Sequence, residues 1–248
     1  MPDSAQHVKP FVYESSSSKA LHFSINEIQS RMKLADPDAL DLLYTRTMMG
    51  FLMFKPEPAT VAMIGLGGGS MAKFCYRYLP RTRIQVAEIN PHVIALRDEF
   101  KVPPDDERFS VIRADGALFV RDCATPLDVL LVDGFDSNGQ PARLSSQRFY
   151  NDCRDALQAG GIMVVNLHYG HRQYEAHVER IRRSFEDAML VVHDRDLSNS
   201  IVFACKGRGL EQFRAGLVRR PKGLEEAAAK QLLAGFASIA SALKEQQD

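Results

Sequence analysis

The sequence predicts an α/β fold in which a mostly parallel, seven-stranded sheet carries helices on both faces and ends in an antiparallel hairpin. Five short apolar runs alternate with helical segments, which is typical of successive strand–helix units. A glycine-rich turn, Gly65–Ser70, follows the first run, where a strand would pass into a helix. Two closely spaced runs, Met189–His193 and Ser200–Cys205, indicate the terminal hairpin.

The chain length sets the organisation. A chain of 248 residues fits one α/β domain with small additions. We expect a short N-terminal β/α segment over residues 1–55, a main domain over 56–208 and a C-terminal helical extension over 209–248.

The first part of the chain is expected to hold little sheet. Residues 1–20 are polar and predict a loop or a frayed end, whereas Leu21–Ser30 alternates apolar and polar residues and predicts one short strand. Apolar residues at helical spacing predict a helix over Asp38–Phe54, which Pro56 would stop.

The main domain follows as strand–helix units. Strands are predicted at Thr60–Ile64, Arg83–Glu88, Phe109–Arg113, Asp128–Val132 and Ile162–Asn166. Helices are predicted at Ser70–Tyr78, from Pro91, at Ser145–Ala159 with Gly160-Gly161 as its end, and at Tyr174–Phe185. An apolar stripe in the C-terminal extension predicts a helix that packs back on the domain, with a partner interface as the alternative; the stripe comprises Ala227, Leu232, Leu233, Phe236, Ile239 and Leu243.

Charge and cysteine content bound the function. Lys+Arg and Asp+Glu are both 31, so no global field attracts nucleic acid or an anionic membrane. No apolar run approaches the ~18 residues of a membrane helix, and the N-terminus resembles no signal peptide. The four cysteines are far apart and form no C-x-x-C, which favours reduced thiols and a cytoplasmic location.

The glycine turn and the acid after the second strand predict a nucleoside site. Gly65, Gly67 and Gly69 let the backbone approach a ligand, and Glu88 at the next strand end can accept the two ribose hydroxyls. A dinucleotide turn, G-x-G-x-x-G, would need glycine where the chain has Ser70. The observed G-x-G-x-G suits a ligand without a pyrophosphate, such as S-adenosylmethionine or a relative.

Acids end several neighbouring strands. Glu88, Asp115, Asp133 and Asp136 would form a negative cleft for hydroxyls, an adenine amino group or a cation such as a sulfonium or a polyamine. Each acid alone could instead cap a helix or form a loop salt bridge.

Two histidines follow the fifth strand. His168 and His171 form H-x-x-H, which lacks the further ligands of a metal site, so no metal is expected. A surface loop or the lining of an acceptor pocket is the favoured interpretation.

With these residues in place, the chain resembles the spermidine synthase family (polyamine aminopropyltransferases) from about Ser24 to Asn166. Its glycine segment, acidic ribose-binding strand end and adenine-associated Asp-Gly pair are similar to Ile64–Ser70, Val86–Asn90 and Asp115-Gly116. Its aspartate-rich catalytic loop is similar to Leu131–Asp136.

Further matches to the family lie outside these segments. Its Phe-Tyr pair corresponds to Phe149-Tyr150, with Tyr150 near the amine, its cofactor-contacting glutamine to Gln29, and its pocket tyrosine to Tyr44.

The resemblance implies fold, activity and partners. It implies a Rossmann-like class I methyltransferase fold, a homodimer, a small-molecule amine acceptor and decarboxylated S-adenosylmethionine as co-substrate. Asp133 and Asp136 would orient and deprotonate the amine, and Tyr44 and Tyr150 would line its pocket.

The chain departs from the family at its donor end. The family's Gly-Gly-Asp-Gly aspartate, which holds the aminopropyl ammonium, is replaced by Ser70, and Thr45-Arg46 replaces a His or Gln followed by Glu. A serine no longer repels the carboxylate of intact S-adenosylmethionine. A methyltransferase on the same scaffold and a non-catalytic nucleoside-binding relative are therefore the alternatives to aminopropyl transfer.

Overall fold

The computed structural model describes residues 7–24, 27–135, 139–194, 198–210, 221 and 223–246. It contains a three-stranded antiparallel sheet, a seven-stranded sheet and flanking helices. The three-stranded sheet comprises β1 (Phe11–Glu14), β2 (Ser18–Ser24) and β3 (Glu27–Lys33).

The seven-stranded sheet comprises β4 (Thr60–Ile64), β5 (Arg83–Glu88), β6 (Phe109–Arg113), β7 (Leu127–Val132), β8 (Leu157–His168), β9 (Met189–His193) and β10 (Asn199–Cys205). Its strand order is β6-β5-β4-β7-β8-β10-β9, with β10 antiparallel to both neighbours. The order reverses between β4 and β7, so the switch point where such sheets bind ligands lies beside the glycine turn.

Helices cover both faces of this sheet. They are α1 (Leu43–Met48), α2 (Ser70–Tyr78), α3 (Pro91–Ile94), α4 (Gly116–Arg121), α5 (Gln147–Ala156), α6 (Tyr174–Ser184) and α7 (Glu226–Glu245). Alternate side chains of β4 enter two core clusters: Met63 lies in the cluster that includes residues of α2 and α7, whereas Ile64 lies in the one that includes residues of α5 and α6. The two apolar faces explain why the central strands read as continuous apolar runs.

The prediction for the N-terminal segment is wrong in two respects. The polar stretch before residue 20 contains β1 and the start of β2, and Leu21–Ser30 is divided between β2 and β3. Val12 and Tyr13 pair with Leu21 and Ala20 in a sheet that is largely exposed on one side. Because an exposed face carries polar residues, these strands lack the apolar pattern that predicts a strand.

The helix predicted over Asp38–Phe54 is shorter than expected. The α-helix covers only Leu43–Met48 and continues as a 3-10 helix over Met49–Met53. Gly50 lies against Ile239 of α7, and a Cβ here would overlap the end of the Ile239 side chain unless that side chain moved.

The helix predicted over Ser145–Ala159 ends at Ala156, and Gly160-Gly161 lie inside β8. The pairing of β7 with β8 shifts between Leu127 and Val129, which marks an irregularity in the strand. A Cβ on Gly161 would stand 2.8 Å from the Leu127 carbonyl oxygen, so glycine here serves close backbone packing and does not end a helix.

The C-terminal helix packs back on the chain, as predicted, although it begins only at Glu226. Leu232, Phe236 and Ile239 are buried against the first core cluster, while Leu233 is exposed. The rest of the helix predicted from residue 209 falls largely on 211–220 and 222, outside the described residues. Within the described residues no helix is long and apolar enough to cross a membrane.

Candidate active site

The glycine turn forms as predicted between β4 and α2. Gly65 and Gly69 have φ angles of 92° and 69°, which side chains rarely adopt, and Gly69 caps α2. The Gly65 amide donates to the Ala87 carbonyl at 2.9 Å. A Cβ on Gly65 would overlap the carbonyl oxygen of Asp133, so the turn and the tip of β7 are in contact.

Glu88 connects this turn to β5. The side chain is 7% exposed; its Oε2 accepts from the Leu66 amide at 2.9 Å and its Oε1 from the Asn90 amide at 2.8 Å. Burial raises the pKa of Glu88, and the backbone donors oppose that rise. The acid predicted for the ribose therefore also holds the turn in place.

Asp115 performs both structural roles that are the alternatives to ligand binding, a helix cap and a salt bridge. Its Oδ1 accepts from the amides of Ala117 and Leu118 at the start of α4, and its Oδ2 pairs with Arg143 Nη1 at 2.7 Å. The next residue, Gly116, packs so closely on Ile64 that a Cβ would not fit. The Asp-Gly pair thus fixes α4 beside the end of β4.

A half-buried hydrogen-bond cluster surrounds Asp133 at the end of β7. The Tyr44 hydroxyl donates to its Oδ2 at 3.0 Å, and the Asn166 amide of β8 donates to its Oδ1 at 2.9 Å. Burial raises the pKa of Asp133, and the two donors oppose this; burial and the carboxylate raise the pKa of Tyr44 well above its ordinary value. The hydroxyl therefore remains a donor, and a carboxylate of increased basicity faces the switch point.

Two further predicted site residues, Gln29 and Ser70, lie on the elements that flank the glycine turn. Gln29 lies on β3, beside Ser30, whose Cβ would stand 3.4 Å from a Cβ on Gly67, so β3 runs along the turn. Ser70 is the first residue of α2 and is 8% exposed.

Of the remaining two predicted catalytic residues, the structure describes only Tyr150. Tyr150 is fully buried on α5 within the second core cluster, and no hydrogen bond joins it to Asp133 or Tyr44 in the described part of the chain. Asp136 lies outside the described residues.

The two histidines after β8 line a cavity of about 10 Å³, the size of one water molecule. Its walls are formed by Gly139, Gln140, Leu167, His168, His171, Tyr174 and His177. His177 Nδ1 is buried without a partner among the described residues. Among all the residues that the structure describes, no three His, Cys, Asp or Glu side chains are grouped so that they could hold a metal ion.

We predict that His177 makes stability fall in acid. Burial, Arg180 and His171 lower the pKa of His177 to about 4. The unfolded chain then binds a proton below pH 6.5 that the folded chain does not, so stability is lost as pH falls from 6.5 to 4, by about 3 kcal/mol. Chemical denaturation of the wild type and His177→Gln across that range measures this loss. Equal losses in both proteins would contradict the prediction.

Two contributors to the site were missed by the sequence interpretation. Asn166 is the polar residue that ends the predicted apolar strand Ile162–Asn166, a signal like the one that identified Asp133, and it could have been found in that way. Arg143 carried no comparable signal, because its partnership with Asp115 joins two segments 28 residues apart (143 minus 115).

This strand order, with a glycine turn and an acid at its switch point, defines a Rossmann-like protein of the class I methyltransferase fold. The spermine/spermidine synthase domain model matches residues 41–193. A polyamine aminopropyltransferase of Neisseria meningitidis is 38% identical over 218 residues, which cover 87% of this chain and 83% of that protein. The chain therefore belongs to the spermine/spermidine synthase family.

Solved structures show the same fold. A probable spermidine synthase from Corynebacterium glutamicum superposes with a TM-score of 0.72 at 18% identity, covering 96% of this chain and 89% of that one. Human methyltransferase-like protein 13, in complex with SAH, superposes with a TM-score of 0.61 at 18% identity, covering 82% and 93%. The Rossmann-like class I methyltransferase fold predicted from the sequence is thus confirmed.

Proposed function

We propose that this protein transfers the aminopropyl group of decarboxylated S-adenosylmethionine to a small amine of the polyamine type. The observation that carries the proposal is the Asp133 carboxylate, held between the Tyr44 hydroxyl and the Asn166 amide beside the glycine turn. The relatives named polyamine aminopropyltransferases support the substrate class.

The reaction needs a base and an oriented amine. An amine nitrogen that has lost a proton attacks the propyl carbon next to the sulfonium; the N–C bond forms as the C–S bond breaks, and the sulfur leaves as the neutral thioether methylthioadenosine. Asp133 accepts the amine proton, and Tyr44 and Asn166 fix the direction of its two oxygens. Asp136 and Tyr150 are proposed to complete the acceptor pocket.

The nucleoside half of the donor would occupy the turn. Gly65, Gly67 and Gly69 would let the backbone come close to the ligand. Glu88 would face the ribose, and Asp115 with Gly116 would face the adenine. Gln29 and Ser70 are proposed to contact the donor from β3 and from the start of α2. Residues 56–208 would then form the nucleoside-binding catalytic domain.

The decisive experiment is an assay of the purified protein with decarboxylated S-adenosylmethionine and putrescine, with methylthioadenosine measured as product. Turnover with a wild-type rate at least a hundredfold above that of Asp133→Asn is expected. Methyl transfer from intact S-adenosylmethionine, without methylthioadenosine release, would instead support the methyltransferase alternative. Binding of both donors without any turnover would support a non-catalytic relative.

We predict that Ser70→Asp increases selectivity for the decarboxylated donor. A carboxylate there would attract the aminopropyl ammonium and repel the carboxylate of intact S-adenosylmethionine. A charged hydrogen bond of about 1.5–3 kcal/mol corresponds to roughly a 10- to 100-fold change in the ratio of the two dissociation constants. Calorimetric titration of both donors measures the ratio, and Ser70→Ala is the neutral control. An unchanged ratio in Ser70→Asp would show that this residue does not face the donor's tail.

We also propose that the protein acts as a homodimer in the cytoplasm, without nucleic acid, a membrane or a metal as partner. The balanced charge of 31 basic and 31 acidic residues supports the absence of a polyanionic partner. Light scattering coupled to gel filtration tests the dimer, since a monomer of 27.7 kDa would contradict it.

A further inference from the structure

Lys73 is a buried cation that the proposed reaction does not use. It lies in the first half of α2, only 1% exposed, and its ammonium donates to the Phe100 carbonyl at 2.7 Å. Lysine is almost never fully buried unless it is paired, and a cation near a helix N-terminus also opposes the helix dipole. The fold therefore keeps Lys73 inside at a cost to stability.

The partner of Lys73 packs on the glycine turn. A Cβ on Gly68 would stand 2.8 Å from Phe100 Cδ1 and 2.8 Å from Ser30 Oγ, so the turn is clamped between the Phe100 ring and β3. Val102, two residues further on, packs against Gly69.

The segment around Phe100 is also joined to β2, where Lys19 Nζ pairs with Glu99 Oε1 at 3.1 Å. Lys101, between the two packing residues, has a φ of 58°, in the left-handed region that side chains disfavour. Within the segment, local backbone hydrogen bonds set the conformation, such as the one from Val102 N to Arg97 O at 2.9 Å. The Lys73 ammonium is the side-chain donor that joins the Phe100 carbonyl itself to α2.

We propose that Lys73 is a positioning residue for the nucleoside donor: its ammonium holds Phe100 against Gly68 and so keeps the glycine turn in its ligand-binding form. The inference rests on the proposed function, since it needs a nucleoside at this turn. It explains why the chain tolerates a buried charge beside the turn, where an apolar side chain would pack at no charge penalty.

The experiment compares Lys73→Met with Lys101→Met, which removes an exposed lysine from the same segment. Calorimetry with methylthioadenosine measures the dissociation constant, and steady-state kinetics separates the donor KM from kcat. Lys73→Met is expected to weaken methylthioadenosine binding and raise the donor KM at least tenfold with little change in kcat, while the melting temperature stays near that of the wild type. Lys101→Met is expected to behave as the wild type.

Two further variants keep the test decisive. Lys73→Arg restores a cation and should recover at least half of the lost affinity. Phe100→Leu keeps the carbonyl but removes the ring over Gly68, and should weaken binding as Lys73→Met does, even if Lys73→Met fails to fold. Affinities within twofold of wild type in Lys73→Met, or in Phe100→Leu if Lys73→Met does not fold, would overturn the proposal. A wild type that does not bind methylthioadenosine would instead contradict the proposed function.

The pH dependence of methylthioadenosine affinity provides a further measurement, which a lysine with a purely structural role would not change. Burial lowers the pKa of Lys73 to about 8, opposed by the carboxylate of Asp38, which is itself paired with Arg77 at 2.9 Å. A charged donor binds the Phe100 carbonyl more strongly than a neutral amine does. Wild-type affinity for methylthioadenosine should therefore weaken as pH rises from 7 to 9, and the affinity of Lys73→Met should not follow it. Parallel profiles in the two proteins would count against the proposal.

Discussion

Asp133→Asn is expected to lower kcat by about 10³-fold while methylthioadenosine still binds with nearly wild-type affinity. General-base catalysis contributes about 10²- to 10⁴-fold, and an amide cannot accept the amine proton. The donor site should persist, because the substitution leaves unchanged the Asp133 backbone, against which Gly65 lies.

The fold should survive this substitution. An asparagine oxygen can accept from the Asn166 amide, and its nitrogen can donate to the Tyr44 oxygen, so both hydrogen bonds of the cluster are retained. Because burial raises the pKa of Asp133, the ionised side chain costs stability at neutral pH. The free energy of unfolding of Asp133→Asn should therefore equal or exceed that of the wild type in denaturant titrations.

Asp128→Asn provides a matched control on the same strand. Asp128 is buried at the opposite end of β7, where Oδ2 accepts from the amides of Ala59 and Thr60 and Oδ1 pairs with Lys55 at 2.9 Å. Placing an amide group against Lys55 should lower stability by about 1–3 kcal/mol and leave kcat near wild type. If Asp128→Asn reduced kcat as strongly as Asp133→Asn, the role of Asp133 as base would be refuted.

The central sheet was predictable because local chemistry decides it. Thr60–Ile64, Arg83–Glu88 and Phe109–Arg113 are strands with the predicted bounds, since each is a short apolar run closed by turn or acidic residues. The same logic placed Glu88 and Asp133 together, because the carboxyl ends of parallel strands meet at one edge of a sheet.

Features that depend on distant contacts were not predictable in this way. Gly160-Gly161 looks like a helix end in the sequence, but it lies inside β8, where Gly161 packs against the backbone of Leu127. Lys73 has the sequence appearance of an exposed helical lysine, and only its contact with Phe100 shows it to be buried. Asp115 both caps a helix and forms a salt bridge, and the sequence could not reveal that Arg143 pairs with its second oxygen.

Gly65→Ala is expected to remove nucleoside binding and to destabilise the fold by at least about 3 kcal/mol, near the upper end of single-residue effects. Two costs combine at this position. The φ of 92° disfavours any side chain, and the added Cβ would overlap the Asp133 carbonyl oxygen. Because that oxygen belongs to the end of β7, relief of the overlap must move the turn away from Asp133.

Gly170→Ala separates these two costs. Gly170 has a φ of 81° but no atom within 4 Å of an added Cβ, so it carries the backbone strain without the overlap. We expect Gly170→Ala to cost about 1 kcal/mol and to leave methylthioadenosine affinity unchanged. Denaturant titration and calorimetry on both variants measure the difference. Equal destabilisation in the two proteins, with nucleoside binding retained in Gly65→Ala, would mean that the contact between the glycine turn and Asp133 does not position the donor beside the base.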